Sequence, residues 1–195
     1  MSSELVGYFG FGSLVNKDTL RTSYVDIFPA TLKGYSRHWQ ARPTTLFNSS
    51  FSLLSIHADK SCNIQGMVVL DLLENLPLVD ERETGYSRYK IERNQLDVSS
   101  DINLPNSLYV YIADEVAGAE DDGMLLQSYL DAVMQGFKNE YGDEGVSHFV
   151  DTTKGFERKI NLDRSAPLYP RCVKISDEES SLFEKELKRA GVIGF

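Results

Sequence analysis

Two short stretches of this chain carry residue types at spacings that could do chemistry. The first is Gly10-Phe11-Gly12-Ser13-Leu14, which follows the apolar run 5–9. That run reads as a strand entering a tight loop, and Asn16 is placed to cap a short helix over residues 17–21. Backbone N–H groups in such a loop can converge on an anion. A tight turn that binds nothing is the alternative. The loop lacks the third glycine of a dinucleotide fingerprint, the flanking glycines of a GxSxG elbow and the lysine of a P-loop. The second stretch is Val79-Asp80-Glu81-Arg82-Glu83-Thr84-Gly85-Tyr86-Ser87-Arg88, with five charged residues beside a glycine and a tyrosine. Taken alone it reads as a solvated helix end, where charge clusters usually lie. Chemistry requires that the two stretches meet in space.

Other catalytic arrangements find less support. His38, His57 and His148 are far apart in sequence and form no HxH or HxxxH pair, so a histidine metal site is not expected. No local motif supports a Ser–His–Asp set. Cys172, in Tyr169-Pro170-Arg171-Cys172, reads as a packed thiol rather than a nucleophile. Tyr35 and Trp39 read as core packing rather than a base-stacking platform.

The elements that must position these residues change character along the chain. Strand-like runs at 30–35, 37–41, 52–56, 64–70, 86–91 and 108–113 are rich in β-branched and aromatic residues. Gly34 and Gly66 suggest bends in a curved sheet. Residues 123–139 then place Leu126, Leu130, Val133, Met134 and Phe137 at helical spacing, with Asp121 and Asp122 at the favourable end. A capping box at Ser176-Asp177-Glu178-Glu179 opens a last helix, which runs through Leu182, Phe183 and Leu187 and stops at Gly191. Strands followed by helices predict an α+β fold. With no repeat or linker, residues 1–195 are expected to form one domain, with a core over about 5–140 and a C-terminal helical extension over about 141–195.

Composition narrows the class. Of the 195 residues 42% are hydrophobic and 25% charged, as in globular proteins. A net charge of −9 argues against a nucleic-acid partner. No apolar run approaches the ~20 residues that span a bilayer. The opening residues show no basic region before a long apolar core, and the two cysteines, Cys62 and Cys172, make no CxxC pair. A cytoplasmic protein without disulfides is the expectation. The oligomeric state is left open, a homodimer included.

Taken in order, the segments resemble the γ-glutamylcyclotransferase superfamily, ChaC-type enzymes included. Phe9-Gly10-Phe11-Gly12-Ser13-Leu14 is similar to its N-terminal Tyr-Gly-Ser loop, and Leu32-Lys33-Gly34-Tyr35-Ser36-Arg37-His38-Trp39-Gln40 to the segment that follows. Ile64-Gln65-Gly66-Met67-Val68 resembles the next strand. Arg82-Glu83-Thr84-Gly85-Tyr86 resembles the segment holding the catalytic glutamate, and Tyr111-Ile112-Ala113 a later strand with an active-site tyrosine. Together they cover roughly residues 6–138. The resemblance implies a small mixed β-barrel with flanking helices, a small-molecule γ-glutamyl substrate between the loop and Glu83, and no metal or organic cofactor. Two departures stand out: Phe11 replaces the loop tyrosine, with Tyr8 three residues earlier, and the tail from Gly142 onward exceeds a minimal cyclotransferase.

The implied reaction is ring closure of a γ-glutamyl amide to 5-oxoproline with release of the amine. A substrate that carries its own nucleophile needs little beyond a folded geometry and proton management. Glu83 is then the single acid–base catalyst. Phe11, Gly12, Ser13, Leu14 and Tyr111 are candidates for the substrate or the developing oxyanion, and Arg88 and Arg42 for its carboxylates or for surface pairs. An amide hydrolase in the same pocket and a non-catalytic binding protein remain as alternatives.

Overall fold

A computed structural model describes residues 4–20, 23–42, 51–115 and 123–194. The expected Arg21, Asp121 and Asp122 lie outside the described residues. Among the described residues nine strands and three α-helices follow in chain order: β1 (Leu5–Gly10), β2 (Asp26–Arg42), β3 (Phe51–Leu72), α1 (Leu76–Arg82), β4 (Tyr86–Lys90), β5 (Leu96–Asp97), β6 (Ser107–Ala113), β7 (Met124–Leu126), α2 (Gln127–Asp151), β8 (Thr153–Lys154), β9 (Ile160–Asn161) and α3 (Asp177–Arg189). The α+β class is as expected.

One mixed sheet carries the fold, in the order β4-β6-β1-β3-β2-β5. β1 pairs antiparallel with β3 and parallel with β6, so it is buried between neighbours on both sides. Three short strands attach in parallel: β7 to the start of β3, β9 to β7, and β8 to Arg37 and His38 of β2. The expected barrel is here a path of strands from β4 to β5, and no ladder among the described residues joins those two ends.

Four strands read separately from sequence are two. Residues 30–35 and 37–41 belong to β2, and 52–56 and 64–70 to β3. Gly34, at φ 81, absorbs a bulge where Lys33 pairs with Asn63 but Tyr35 with Ala58, so the strand bends without ending.

The helix expected over 123–139 begins later and runs longer. Residues 124–126 are a strand because β3 and β9 offer them hydrogen-bond partners. At the other end, Gly142 (φ 71) interrupts the backbone, but helical turns resume and bury Val146, Phe149 and Val150. α3 matches its expectation, with both halves of the Ser176–Glu179 capping box formed and Phe183 and Leu187 buried. The helix expected over 17–21 is a single tight turn, Lys17–Thr19, with Asn16 accepting from the Asp18 N–H.

Helix α2 covers the sheet and holds the loop after β1. Asn16 Nδ2 donates to Ala132 O at 2.9 Å and to Gln135 Oε1 at 3.0 Å, and all three residues are buried. A Cβ at Gly136 would stand 2.7 Å from the Asn16 nitrogen, so only glycine allows this approach. No helix among the described residues is long and apolar enough to cross a membrane.

The tail is pinned to the same helix through buried polar groups. Asp163 accepts from Ser128 N at 2.9 Å, Ser128 Oγ at 2.5 Å and Leu168 N at 2.8 Å. Arg164 clamps Asp131 with two hydrogen bonds of 2.8 and 3.0 Å. Asp163→Ala strands one buried and one part-buried N–H donor together with the Ser128 hydroxyl, and is expected to cost about 2–4 kcal/mol, read as a lower midpoint in urea unfolding.

Candidate functional site

The loop and the charged segment do meet. Residues Phe9, Phe11, Gly12, Ser13, Leu14, Leu54, Glu83, Tyr86, Tyr111 and Tyr129 line one cleft with an empty volume of about 310 Å³. β1 delivers the loop and β3 supplies Leu54. The tight turn Ser13–Val15 leaves the N–H groups of Ser13 and Leu14 without an acceptor among the described residues, since Val15 and Asn16 make the first turn bonds. Those two amides are the polar face of the loop.

Glu83 is placed by the end of α1. Its N–H donates to Val79 O at 2.9 Å, and Tyr86 N donates back to Glu83 O at 2.9 Å. Gly85, at φ 84, turns the chain from α1 into β4. The side chain is 15% exposed. Arg82 Nε donates to Glu83 Oε1 at 3.0 Å, while no described group donates to Oε2. The same guanidinium donates to Thr19 O at 2.8 Å and Thr19 Oγ1 at 3.3 Å, and the Thr19 hydroxyl donates to Ser13 O at 2.6 Å. Acid and loop therefore share one hydrogen-bonded connection.

Burial pushes the Glu83 carboxyl above the usual carboxylate range. The charges of Arg82 and Arg171 and the Arg82 hydrogen bond pull it back only in part. The tyrosines around it are held neutral by the same burial: Tyr86, whose hydroxyl donates to Leu54 O at 2.7 Å, and Tyr129, packed edge-on to Trp39 and Tyr169. A low-dielectric cleft with one acid whose proton affinity is raised is suited to carrying a proton between two groups of a bound molecule.

Several sequence expectations need correction here. The Tyr111 ring lines the cleft, but its hydroxyl donates its hydrogen bond to Asp80 Oδ1 at 2.7 Å and so is engaged by a protein carboxylate. Arg88 takes the surface-pair alternative: it lies 3.4 Å from Asp80 Oδ2, stacks over Tyr109 at 4.9 Å and is not among the cleft residues. Arg42 donates to Gly85 O and Asp114 O and covers the Tyr86 ring at 4.7 Å, so it braces the cleft wall. Tyr8 packs edge-on against Tyr111 and is not a lining residue. Cys172 is exposed rather than packed.

His38 and His57, distant in sequence, face each other across β2 and β3 with Nδ1 atoms 3.0 Å apart. Among the described residues no group of three His, Cys, Asp or Glu side chains is placed to hold a metal. Reasoning from sequence missed Tyr129, Leu54, Thr19 and the bridging role of Arg82. Tyr129 falls at helical spacing beside Leu126 and Leu130, where a tyrosine reads as core. The Arg82–Thr19 contact spans 63 positions.

Arg82 opposes the rise in the Glu83 carboxyl, so removing its charge should raise it further. In Arg82→Gln, the 13C resonance of the Glu83 carboxyl is expected to titrate at higher pH than in the parent protein. An unmoved or lower midpoint contradicts this electrostatic account.

No protein-family model matches the chain, and no curated protein matches it either. Solved structures do. One described as a gamma-glutamyl cyclotransferase is 17% identical, with 93% of this chain and 99% of that one covered at a TM-score of 0.55. An uncharacterized protein of Homo sapiens, loc79017, is 15% identical over 93% and 99%, at 0.56. YkqA of Bacillus subtilis is 17% identical over 79% of this chain and 57% of that one, at 0.55. At such identities the likeness is one of backbone architecture, and over nearly the whole length of the first two the chain has the γ-glutamylcyclotransferase fold.

Proposed function

We propose that the protein is a γ-glutamylcyclotransferase, closing a γ-glutamyl amide to 5-oxoproline with Glu83 as general base and then general acid. The observation that supports this best is the position of a buried, proton-retaining carboxyl in the same cleft as two unengaged loop amides. The chemistry asks for little more. The α-amino nitrogen of the bound γ-glutamyl group attacks its own γ-carbonyl carbon, and the new C–N bond closes a five-membered ring. Glu83 takes the proton that this nitrogen sheds. The bond to the leaving nitrogen breaks as Glu83 returns the proton to it. Because the reaction is intramolecular, holding the chain folded supplies much of the rate, with effective molarities of ~10⁵ M or more.

The residues present divide this work. The N–H groups of Ser13 and Leu14 can take the α-carboxylate or the oxyanion that develops on the γ-carbonyl. The rings of Phe11, Tyr86 and Tyr129 exclude water, which favours ring closure over hydrolysis. Phe11 provides no hydroxyl, but the Tyr129 hydroxyl stands 2.9 Å from where a Cβ on Gly12 would be, so the loop still faces a phenol.

Glu83→Gln is expected to abolish 5-oxoproline release from a panel of γ-glutamyl compounds, whereas Glu81→Gln has little effect. Free glutamate in place of 5-oxoproline identifies a hydrolase instead. The ascending limb of the pH–rate profile should lie above the ordinary glutamate range, because the base must be ionised. The sign for stability follows from the same shift. The folded state holds the Glu83 proton more tightly than the unfolded chain, so stability falls as pH rises from the unfolded value, 4.5, through the raised folded one. Above that window the ionised side chain is a cost that glutamine does not carry. Glu83→Gln should therefore melt no lower than the parent at neutral pH.

A further inference from the structure

The C-terminal extension brings a cation to the rim of the cleft that the reaction described above does not use. Pinned by Asp163 and Ser128, whose hydroxyl also accepts from the Tyr169 N–H at 3.1 Å, the segment lays buried Tyr169 edge-on against Tyr129 with centroids 4.9 Å apart. Tyr129 is a wall of the cleft. Against Tyr169 lies Arg171, its guanidinium 5.3 Å from the ring centre and its Nε donating to the Tyr169 hydroxyl at 3.2 Å. The two terminal amino groups of Arg171 donate to no described residue, and no described carboxylate pairs with it. Arg42, Arg82 and Arg88 are all engaged by protein acceptors.

Resting on the reading of the substrate as a γ-glutamyl amide, we propose that Arg171 binds a carboxylate on the amine portion, so that γ-glutamyl amino acids and peptides are preferred over γ-glutamyl derivatives of uncharged amines. Place decides which carboxylate this is. Ring closure folds the γ-glutamyl group back on itself beside Glu83 and the loop amides, inside the cleft. The amine portion must extend outward past the γ-carbonyl. Arg171 stands outside the lining residues, one aromatic ring beyond the Tyr129 wall, and the far end of the extended group is assigned to it in this proposal. A guanidinium held by a single Nε bond presents two parallel N–H donors, the geometry that grips a carboxylate bidentately. Arg171 also bears on the Glu83 carboxyl electrostatically, which places its charge within reach of the reacting centre.

Binding can be measured without turnover in the Glu83→Gln protein, by calorimetry with γ-glutamylglycine and with γ-glutamylethylamide. The expected result is about 10- to 100-fold tighter binding of the glycine compound. Arg171→Met should erase that advantage and leave the ethylamide affinity unchanged, and Arg171→Lys should keep part of it. Equal affinities with Arg171 present, equal weakening of both ligands in Arg171→Met, or binding of neither ligand would overturn the inference. The chemistry is scored separately, as 5-oxoproline released from γ-glutamylglycine by the protein with Glu83 intact. Discrimination without 5-oxoproline keeps the Arg171 subsite and removes the cyclisation. Release of 5-oxoproline without discrimination removes the subsite and keeps the cyclisation.

Discussion

The bridge made by Arg82 is the contact on which the site depends. On one side its guanidinium holds the backbone and hydroxyl of Thr19, and through that hydroxyl the loop carbonyl of Ser13; on the other it holds Glu83. The Arg82 side chain is only 8% exposed, so it cannot trade these acceptors for water at little cost. A desolvated cation with few acceptors is a strict ruler, and here it sets the separation between a loop at the end of β1 and an acid at the end of α1. Leu14 of the loop and Leu76 and Val79 of α1 already share one buried apolar cluster with Val69 and Tyr111, and the Arg82 bridge adds the polar link that orients the acid against the loop.

The same cation and Arg171 work against the burial that surrounds Glu83. Desolvation is the larger influence, so the carboxyl retains its proton to higher pH than a free glutamate. A fully apolar pocket would leave the acid protonated throughout and unable to accept. An exposed ion pair would leave it ionised and unable to donate. Opposed forces therefore act on one carboxyl, and the role proposed for it, taking a proton and then returning it, depends on their balance. The neutral tyrosines that line the cleft contribute walls without adding charge.

Much of this was legible in the residues. The apolar run before Gly10, the glycine-rich turn and the acidic segment at 79–88 each reported their local conformation, and the Ser176–Glu179 cap marked α3 correctly. What could not be read was set by pairing at long range. Residues 124–126 have helical spacing but become a strand because Phe51, Ser52 and Ile160 offer partners. The helical spacing reads only to residue 139, yet helical turns resume beyond Gly142 because Phe149 and Val150 find a core there. Arg88 and Arg82 are the same residue type six positions apart, and only the neighbours that folding brings distinguish a surface pair from the bridge at the site. His38 and His57 came together for the same reason, through the register of two long strands.

The first turns of α2 tie three things to one rod: Ser128 anchors the tail, Tyr129 walls the cleft, and Ala132 with Gln135 receives Asn16 from the loop. Ser128 and Gln135 are seven residues apart, almost two full turns at 3.6 residues each, so their side chains emerge on nearly the same bearing. Inserting or deleting one residue between them would swing one anchor about 100° away from the other. Length in this stretch is therefore as constrained as chemistry. The break at Gly142 lies beyond this stretch and leaves the relative bearing of the anchors for tail, wall and loop untouched.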